Sequence, residues 1–130
     1  MILLDTHVVI WLAQDYRRIS TAAHAAIEDE RNENRGLAVS DITLVEIAQL
    51  ASHGRINLIP DVETVLSEVE HRFVILPITS GIAMQAFALP ANYPKDRIDR
   101  VIGATAVIEG LKLVTADRAI RQSKAVPTIW

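Results

Sequence analysis

Short apolar runs alternate along the chain with segments whose apolar residues recur at helical spacing. The runs Ile2–Leu4, Leu37–Val39 and Val74–Leu76 show no polar alternation, which is typical of strands buried on both faces. A fourth strand is predicted within Leu111–Thr115, and residues 126–129 form a candidate fifth. Helical patterns separate these runs, and this order is typical of βαβ units. We therefore predict an α/β protein with a mainly parallel sheet of four to five short strands.

The helices are predicted from apolar periodicity and from residues that commonly cap helix ends. The clearest is the segment after Asp61, where apolar residues from Val62 to Phe73 recur at i, i+3, i+4, i+7 and i+11. The charged run 28–35 is interpreted as a solvated helix end followed by a loop. The predicted N-caps are Ser20, Ser40, Asp61 and Ser80. The other predicted helices cover residues 8–13, 20–35 with a frayed end, 40–52, 80–89, 95–109 and 116–122.

Composition limits the class of protein further. A chain of 130 residues, half of them hydrophobic, is long enough for one domain, residues 1–130, with a substantial core. The absence of cysteine excludes disulfides, thiolate metal sites and cysteine nucleophiles, and it fits a reducing cytoplasm. The chain starts without the basic region of a signal peptide, and no apolar run approaches the ~20 residues of a membrane span. We expect a cytoplasmic protein with no membrane partner.

Two aspartates directly follow predicted strands. Asp5 ends the first strand, and Asp117 comes two residues after the predicted strand Leu113–Thr115. In a parallel sheet, ligands bind at the carboxyl ends of the strands, so both side chains are predicted to lie at one edge. Each aspartate could equally cap the helix that follows it. The capping and ligand interpretations both stay open from these residues alone.

Glu46 is the third candidate, because nearly all of its neighbours in the predicted helix are apolar. Glutamate is rarely buried unless it is paired or metal-bound. The alternative is an exposed Glu46 on a polar stripe with Thr43 and Gln49.

Asp96 and Asp99 lie three residues apart at a predicted helix start, where the helix dipole favours negative charge. With Arg97 and Arg100 between and after them, they could also form a simple solvated helix start. Gly103, in the same helix, is predicted to pack closely against the sheet and to hold Asp99 rigidly.

Together the acids predict an all-oxygen site. Hard oxygen ligands suit Mg²⁺ or Mn²⁺, which can activate water and offset charge on a phosphodiester. The net charge of −3 means that nucleic acid would need a local basic patch plus bound metal. No GxSxG, Walker A, GxGxxG or zinc motif is present. The candidate phosphate contacts are Lys95, Arg97, Arg100, Arg118 and Arg121, and the residues that could orient carboxylates, water or substrate are Thr6, Ser40 and Thr115.

These segments, taken in order, resemble the signature of PIN-domain proteins, and most of all the VapC toxins of toxin–antitoxin pairs. The matching segments are residues 3–7, Glu46 in its helix, 96–100, 104–106 and 113–117. The resemblance implies a three-layer α/β/α sandwich and a Mg²⁺- or Mn²⁺-dependent endoribonuclease acting on RNA. It also implies a homodimer and a VapB antitoxin whose tail covers the active site. The four acidic positions of the family match Asp5, Glu46, Asp99 and Asp117, and Asp96 matches an additional acid.

A different class of function is also considered. The chain could be an α/β binding or regulatory module with an acidic pocket and no nuclease activity, similar to a receiver domain. Receiver domains place an acid pair and a phosphoacceptor aspartate on successive strands, and the second and third strands here carry no such aspartate. A haloacid-dehalogenase phosphatase is disfavoured because Asp5-Thr6-His7 lacks its second aspartate.

Overall fold

Five short parallel strands form the central sheet of the computed structural model, which describes all 130 residues. The strands are β1 (Ile2–Leu4), β2 (Leu37–Ser40), β3 (Val74–Leu76), β4 (Leu113–Val114) and β5 (Thr128–Ile129). Their order in the sheet is β3-β2-β1-β4-β5. Strands β2 and β3 are added on one side of β1, and β4 and β5 are added on its other side. The boundary between β1 and β4 is therefore a topological switch point. The predicted strands and parallel sheet are confirmed.

Seven α-helices connect and cover the strands. They are α1 (Thr6–Gln14), α2 (Thr21–Asn32), α3 (Ile42–Ser52), α4 (Val62–Arg72), α5 (Ser80–Ala88), α6 (Arg97–Glu109) and α7 (Arg118–Ser123). The predicted loop after α1 contains a short 3₁₀ helix, Tyr16–Arg18. None of the helices is both long and apolar enough to cross a membrane.

Two of the four predicted caps are confirmed and two are wrong, and the first wrong one is Ser40, because the N-cap of α3 is Asp41. Ser20 accepts a hydrogen bond from the Ala23 amide, and Asp61 accepts one from the Thr64 amide. The cap of α5 is Thr79 rather than Ser80, because the Thr79 hydroxyl accepts from the amide three residues ahead.

Both faces of the sheet are buried, because successive residues of each strand point to opposite sides. Leu4 packs in a cluster with apolar residues of α1, α2 and α4, whereas Leu3 packs with residues of α6 and α7. In β4, Val114 packs on the same side of the sheet as Leu4, and Leu113 packs on the same side as Leu3. Helices thus cover both sides, and the predicted three-layer α/β/α sandwich is confirmed.

The charged run at the end of α2 is not simply solvated, so that interpretation was wrong for Glu30. Its side chain is buried, and it contacts the Met1 amino group at 2.8 Å and the Arg35 guanidinium at 3.2 Å. Arg35 also contacts Asp29 at 2.6 Å. These ion pairs fasten the end of α2 to the starts of β1 and β2.

Candidate active site

Asp5 occupies the carboxyl end of the central strand β1 and is only 7% exposed. Its two carboxylate oxygens have separate partners. Oδ1 accepts from the Thr6 amide at 2.8 Å, and Oδ2 accepts from the Thr115 hydroxyl at 2.7 Å. The side chain therefore caps α1 and is also oriented by a residue that follows β4. Burial raises the pKa of Asp5, while the bonds from Thr115 and Thr6 oppose the rise.

Asp117 reaches the same edge from β4. Its carboxylate accepts from the Ile120 amide at 3.0 Å and so caps α7. The Thr115 hydroxyl that donates to Asp5 also accepts from the Asp117 amide at 3.1 Å. The Thr115 hydroxyl thus connects the carboxyl ends of β1 and β4. Asp5 and Asp117 each cap a helix and still lie at this edge, so the capping and ligand interpretations are compatible.

Thr6 and Thr115 are completely buried. The Thr6 and Thr43 hydroxyls are hydrogen-bonded to each other at 3.1 Å, and Thr115 bonds to the two aspartates. Their burial favours an orienting role, and direct contact of either threonine with a substrate stays a prediction. Their prediction as orienting residues is consistent with these bonds.

Glu46 projects from α3 toward this edge and is half-buried, so the alternative of a fully exposed side chain is wrong. Burial raises its pKa, and the charge of Asp5 adds to the rise, whereas a hydrogen bond from Thr6 opposes it. The negative charge of Asp5 is therefore close enough to Glu46 to act on its carboxylate.

Asp99 lies in the first turn of α6 and is half-buried. Burial raises its pKa to about 7, and the negative charges of Asp5, Asp96, Glu46 and Asp117 raise it in addition. No lysine or arginine forms an ion pair with Asp5, Glu46, Asp99 or Asp117. The fold therefore brings four carboxylates to one edge of the sheet and leaves them without a basic partner.

Asp96, the additional acid, is the N-cap of α6. Its Oδ1 accepts from the amides of Ile98 and Asp99, at 2.9 and 3.1 Å, and its side chain is exposed. The helix therefore starts at Arg97 and not at Lys95 as predicted. Asp96 lies at the rim of the cluster and contributes negative charge to it.

Tyr93 is a residue of this region that the sequence analysis did not identify. It is 1% exposed, and its hydroxyl donates to the backbone carbonyl of Asp99 at 2.9 Å. A methyl group at Gly103 would overlap that hydroxyl group. Gly103 therefore makes room for Tyr93, and the prediction that it packs against the sheet was wrong. The sequence did contain a signal for this contact. Gly103 is a glycine inside a predicted helix, and the loop before that helix contains the aromatic residue Tyr93.

The predicted phosphate contacts differ in their environments. The Arg100 guanidinium donates to the carbonyls of Ala86, Leu89 and Tyr93, and its role as a substrate contact stays a prediction. Arg121 donates weakly to the Ala116 carbonyl, at 3.4 Å. The exposed side chains with no partner in the protein are Lys95, Arg97 and Arg118.

The donor chemistry of the cluster fits a hard divalent cation. All four side chains offer carboxylate oxygens, and a cation would offset the burial and the like-charge repulsion that raise the pKa values of Asp5, Glu46 and Asp99. No three acidic or histidine side chains are close enough, as they stand, to hold one ion. Mg²⁺ commonly has only one or two direct carboxylate ligands and keeps several waters. A cavity lies elsewhere, between α1, α2 and α4, and none of these acids lines it.

Comparisons with known proteins agree with this geometry. Fold and site define a three-layer α/β protein with a carboxylate cluster at the switch point of its sheet. The PIN-domain family model matches residues 2–125, and the chain belongs to the PIN-domain family. It is 38% identical over 131 residues to ribonuclease VapC22 of Mycobacterium tuberculosis (strain ATCC 25618 / H37Rv), with 99% of this chain and 98% of that protein covered. The resemblance found in the sequence is confirmed.

Solved structures share the fold at low sequence identity. VapBC2 from Rickettsia felis, bound to a DNA fragment from its promoter, has a TM-score of 0.73 at 16% identity, with 98% of this chain and 97% of that chain covered. DNA-bound VapBC from Salmonella typhimurium has a TM-score of 0.69 at 22% identity, with the same coverage.

Proposed function

We propose that this protein is an endoribonuclease toxin of the VapC type, which hydrolyses RNA phosphodiester bonds with the help of Mg²⁺ or Mn²⁺. The observation that carries the proposal is the convergence of Asp5, Glu46, Asp99 and Asp117 on one edge of the sheet, without any basic partner. The similarity to ribonuclease VapC22, which extends over almost the whole of both chains, supports RNA as the substrate.

Each residue has a role that follows from its position. Asp5, Asp99 and Asp117 would hold the cation, and Glu46 would hold the attacking water or a second cation. When bound, the cation supplies Lewis-acid chemistry: it lowers the pKa of water and offsets charge on the scissile phosphate. Thr115 fixes one oxygen of Asp5 by donating to it, so that the carboxylate does not need to reorganise during the reaction.

The basic partners of the phosphate backbone would come from the rim. Arg118 is exposed at the start of α7, next to Asp117, and no group of the protein competes for it. Arg97 and Lys95 are exposed beside Asp96. Such side chains position a nucleic-acid strand without reading its sequence.

We also propose a VapB-type antitoxin and a second copy of this chain as protein partners. The similar structures include VapBC complexes, which contain both components of such a pair. The surface of α5 carries Met84 and Phe87, each 76% exposed, and large exposed apolar side chains of this kind mark protein interfaces. Light scattering on the purified chain would test the homodimer, and a monomer at high concentration would contradict it.

The test of the enzyme is cleavage of a mixed RNA pool by the purified protein with Mg²⁺, Mn²⁺ or EDTA, beside the Asp5→Asn variant. We expect cleavage that requires a divalent metal and is lost in the variant. Asp61→Asn is the matched control, because Asp61 is an exposed helix cap outside the cluster and this change should leave cleavage intact. Cleavage that persists in Asp5→Asn would overturn the assignment of the site.

A further inference from the structure

A row of rings and a guanidinium group extends away from the carboxylate cluster, with neighbouring rings tilted by 51° to 54°, and we name it the aromatic strip: His7, Trp11, Arg18 and Trp130. The His7 and Trp11 ring centroids are 5.9 Å apart, and so are those of Trp11 and Trp130. The Arg18 guanidinium lies 4.6 Å from the centroid of Trp11. His7 and Trp11 are four residues apart on α1 and therefore share one face of that helix.

The strip begins at the candidate active site. His7 lies in the first turn of α1, two residues after Asp5, and its side chain is exposed. A ligand bound at the cluster can therefore extend directly onto the strip.

Apolar packing explains only part of this arrangement. Trp11 and Trp130 pack against the core beside β1, yet both remain half-exposed. The Arg18 side chain is exposed and forms no ion pair or hydrogen bond, and its guanidinium lies over the Trp11 ring. The neighbouring Arg17 side chain is 95% exposed. Positive charge and exposed ring surface thus occur together, next to the acidic site of a protein whose net charge is −3.

We infer that the aromatic strip is a subsite that stacks unpaired bases of a single-stranded RNA substrate beside the bond to be cleaved. The inference rests on the proposed ribonuclease function and assigns the residues of this chain that would hold the bases of the substrate. Histidine and tryptophan rings and arginine guanidinium planes are the side chains on which unstacked RNA bases are bound. Arg17 and Arg18 add charge that attracts the phosphate backbone. Bases inside a duplex are already stacked on each other and cannot occupy the strip.

The test measures binding without cleavage, in EDTA, with a fluorescently labelled unstructured RNA of roughly ten nucleotides, which is within the range of known single-strand sites. Arg18→Ala and His7→Ala should each weaken binding about tenfold, as expected for loss of a stacked base. His7→Phe should retain more affinity than His7→Ala, since it keeps a flat ring without the charge. Arg72→Ala is the matched control, because this exposed arginine lies on α4, and we expect less than about twofold change.

Tryptophan emission gives an independent readout. The single-stranded RNA should quench it through stacking on Trp11 or Trp130, and a duplex of the same length should not. Equal affinity of wild type, Arg18→Ala and His7→Ala would overturn the inference, as would no binding of the single strand or equal quenching by the duplex.

Cleavage assays with Mg²⁺ or Mn²⁺ separate the two proposals. Metal-dependent cleavage together with unchanged binding in the strip variants refutes the strip alone. Selective binding of single strands that depends on Arg18 and His7, without cleavage under any metal, supports the strip and refutes the nuclease.

Discussion

Buried carboxylates lie at both ends of the central strand β1, and the protein surrounds them in opposite ways. At the start of the strand, hydrogen bonds from the Met1 amino group and from Arg35 lower the pKa of Glu30. At the other end, burial raises the pKa of Asp5, Glu46 and Asp99, and the like charges of the cluster add to the rise. The residue types are the same at the two ends, and only their partners differ.

The different partners indicate a structural role for Glu30 and a functional role for the carboxylate cluster. A carboxylate that is paired with cations stabilises the fold, because its charged form is favoured in the folded state. Carboxylates that are packed against each other reduce stability unless something positive joins them. A site of this kind is maintained at a cost in stability, which indicates a binding or catalytic role.

The largest effect is expected for Asp99→Asn. Cleavage should fall about a hundredfold or more, since several kcal/mol of transition-state stabilisation depend on the cation site. In EDTA the variant should be more stable than the wild type above pH 7. The pKa of Asp99 is raised in the folded state, so its contribution to stability is fully present below the ordinary pKa of 3.8. This contribution is lost as the pH rises through about 7. Cleavage rates and thermal unfolding across pH measure both effects, and equal pH dependence in the two proteins would contradict the account.

Thr115→Val should reduce cleavage about tenfold, in the range seen when a residue that orients a metal ligand is removed. The change deletes the donor to Asp5 Oδ2 and the acceptor of the Asp117 amide at nearly constant volume. Thr105→Val is the matched control, because this buried hydroxyl only donates to the Val101 carbonyl in its own helix. If the two variants cleave RNA at the same rate, Thr115 does not orient the site.

Gly103→Ala should destabilise the protein by about 1–3 kcal/mol, because the added methyl overlaps the Tyr93 hydroxyl. Cleavage should also fall, since Tyr93 bonds the turn that carries Asp99. Gly81→Ala, in the first turn of α5, meets nothing closer than 3.8 Å and should be neutral or slightly stabilising. Chemical denaturation of both variants makes the comparison. A Gly103→Ala protein as stable as the wild type would show that Tyr93 can move without cost.

Glu30→Gln tests the other end of the strand and should have the smallest effect on function. We expect a loss of about 1–2 kcal/mol of stability at neutral pH and unchanged cleavage. Because the pKa of Glu30 is lowered, its contribution is present above the ordinary value of 4.5 and disappears as the pH falls through the folded-state value. The stability difference between wild type and variant should therefore shrink in acid. A constant difference at all pH values would mean that charge is not the cause.

Local patterns were sufficient to predict most of the fold. Unbroken apolar runs predicted the strands, and polar residues before periodic segments predicted caps such as Ser20 and Asp61. The positions of Asp5 and Asp117 after strands predicted a shared edge, because parallel strands align their carboxyl ends. These signals depend only on neighbours along the chain.

Contacts between distant segments were not predictable in this way. The burial of Glu30 depends on the amino group of Met1, and the role of Gly103 depends on a tyrosine in a preceding loop. The positive charge of Arg100 suits a phosphate contact, but in the fold its guanidinium donates to three backbone carbonyls. The sequence shows which groups exist, whereas packing determines which partners they meet.

The most direct test of the carboxylate cluster is the thermal midpoint of the protein as a function of Mn²⁺ concentration. A ligand that binds only the folded state raises the midpoint progressively with its concentration. We predict such a rise for the wild type and for Glu30→Gln, and none for the double variant Asp5→Asn, Asp99→Asn. The same rise in the double variant, or no rise in the wild type, would contradict a cation site formed by these acids.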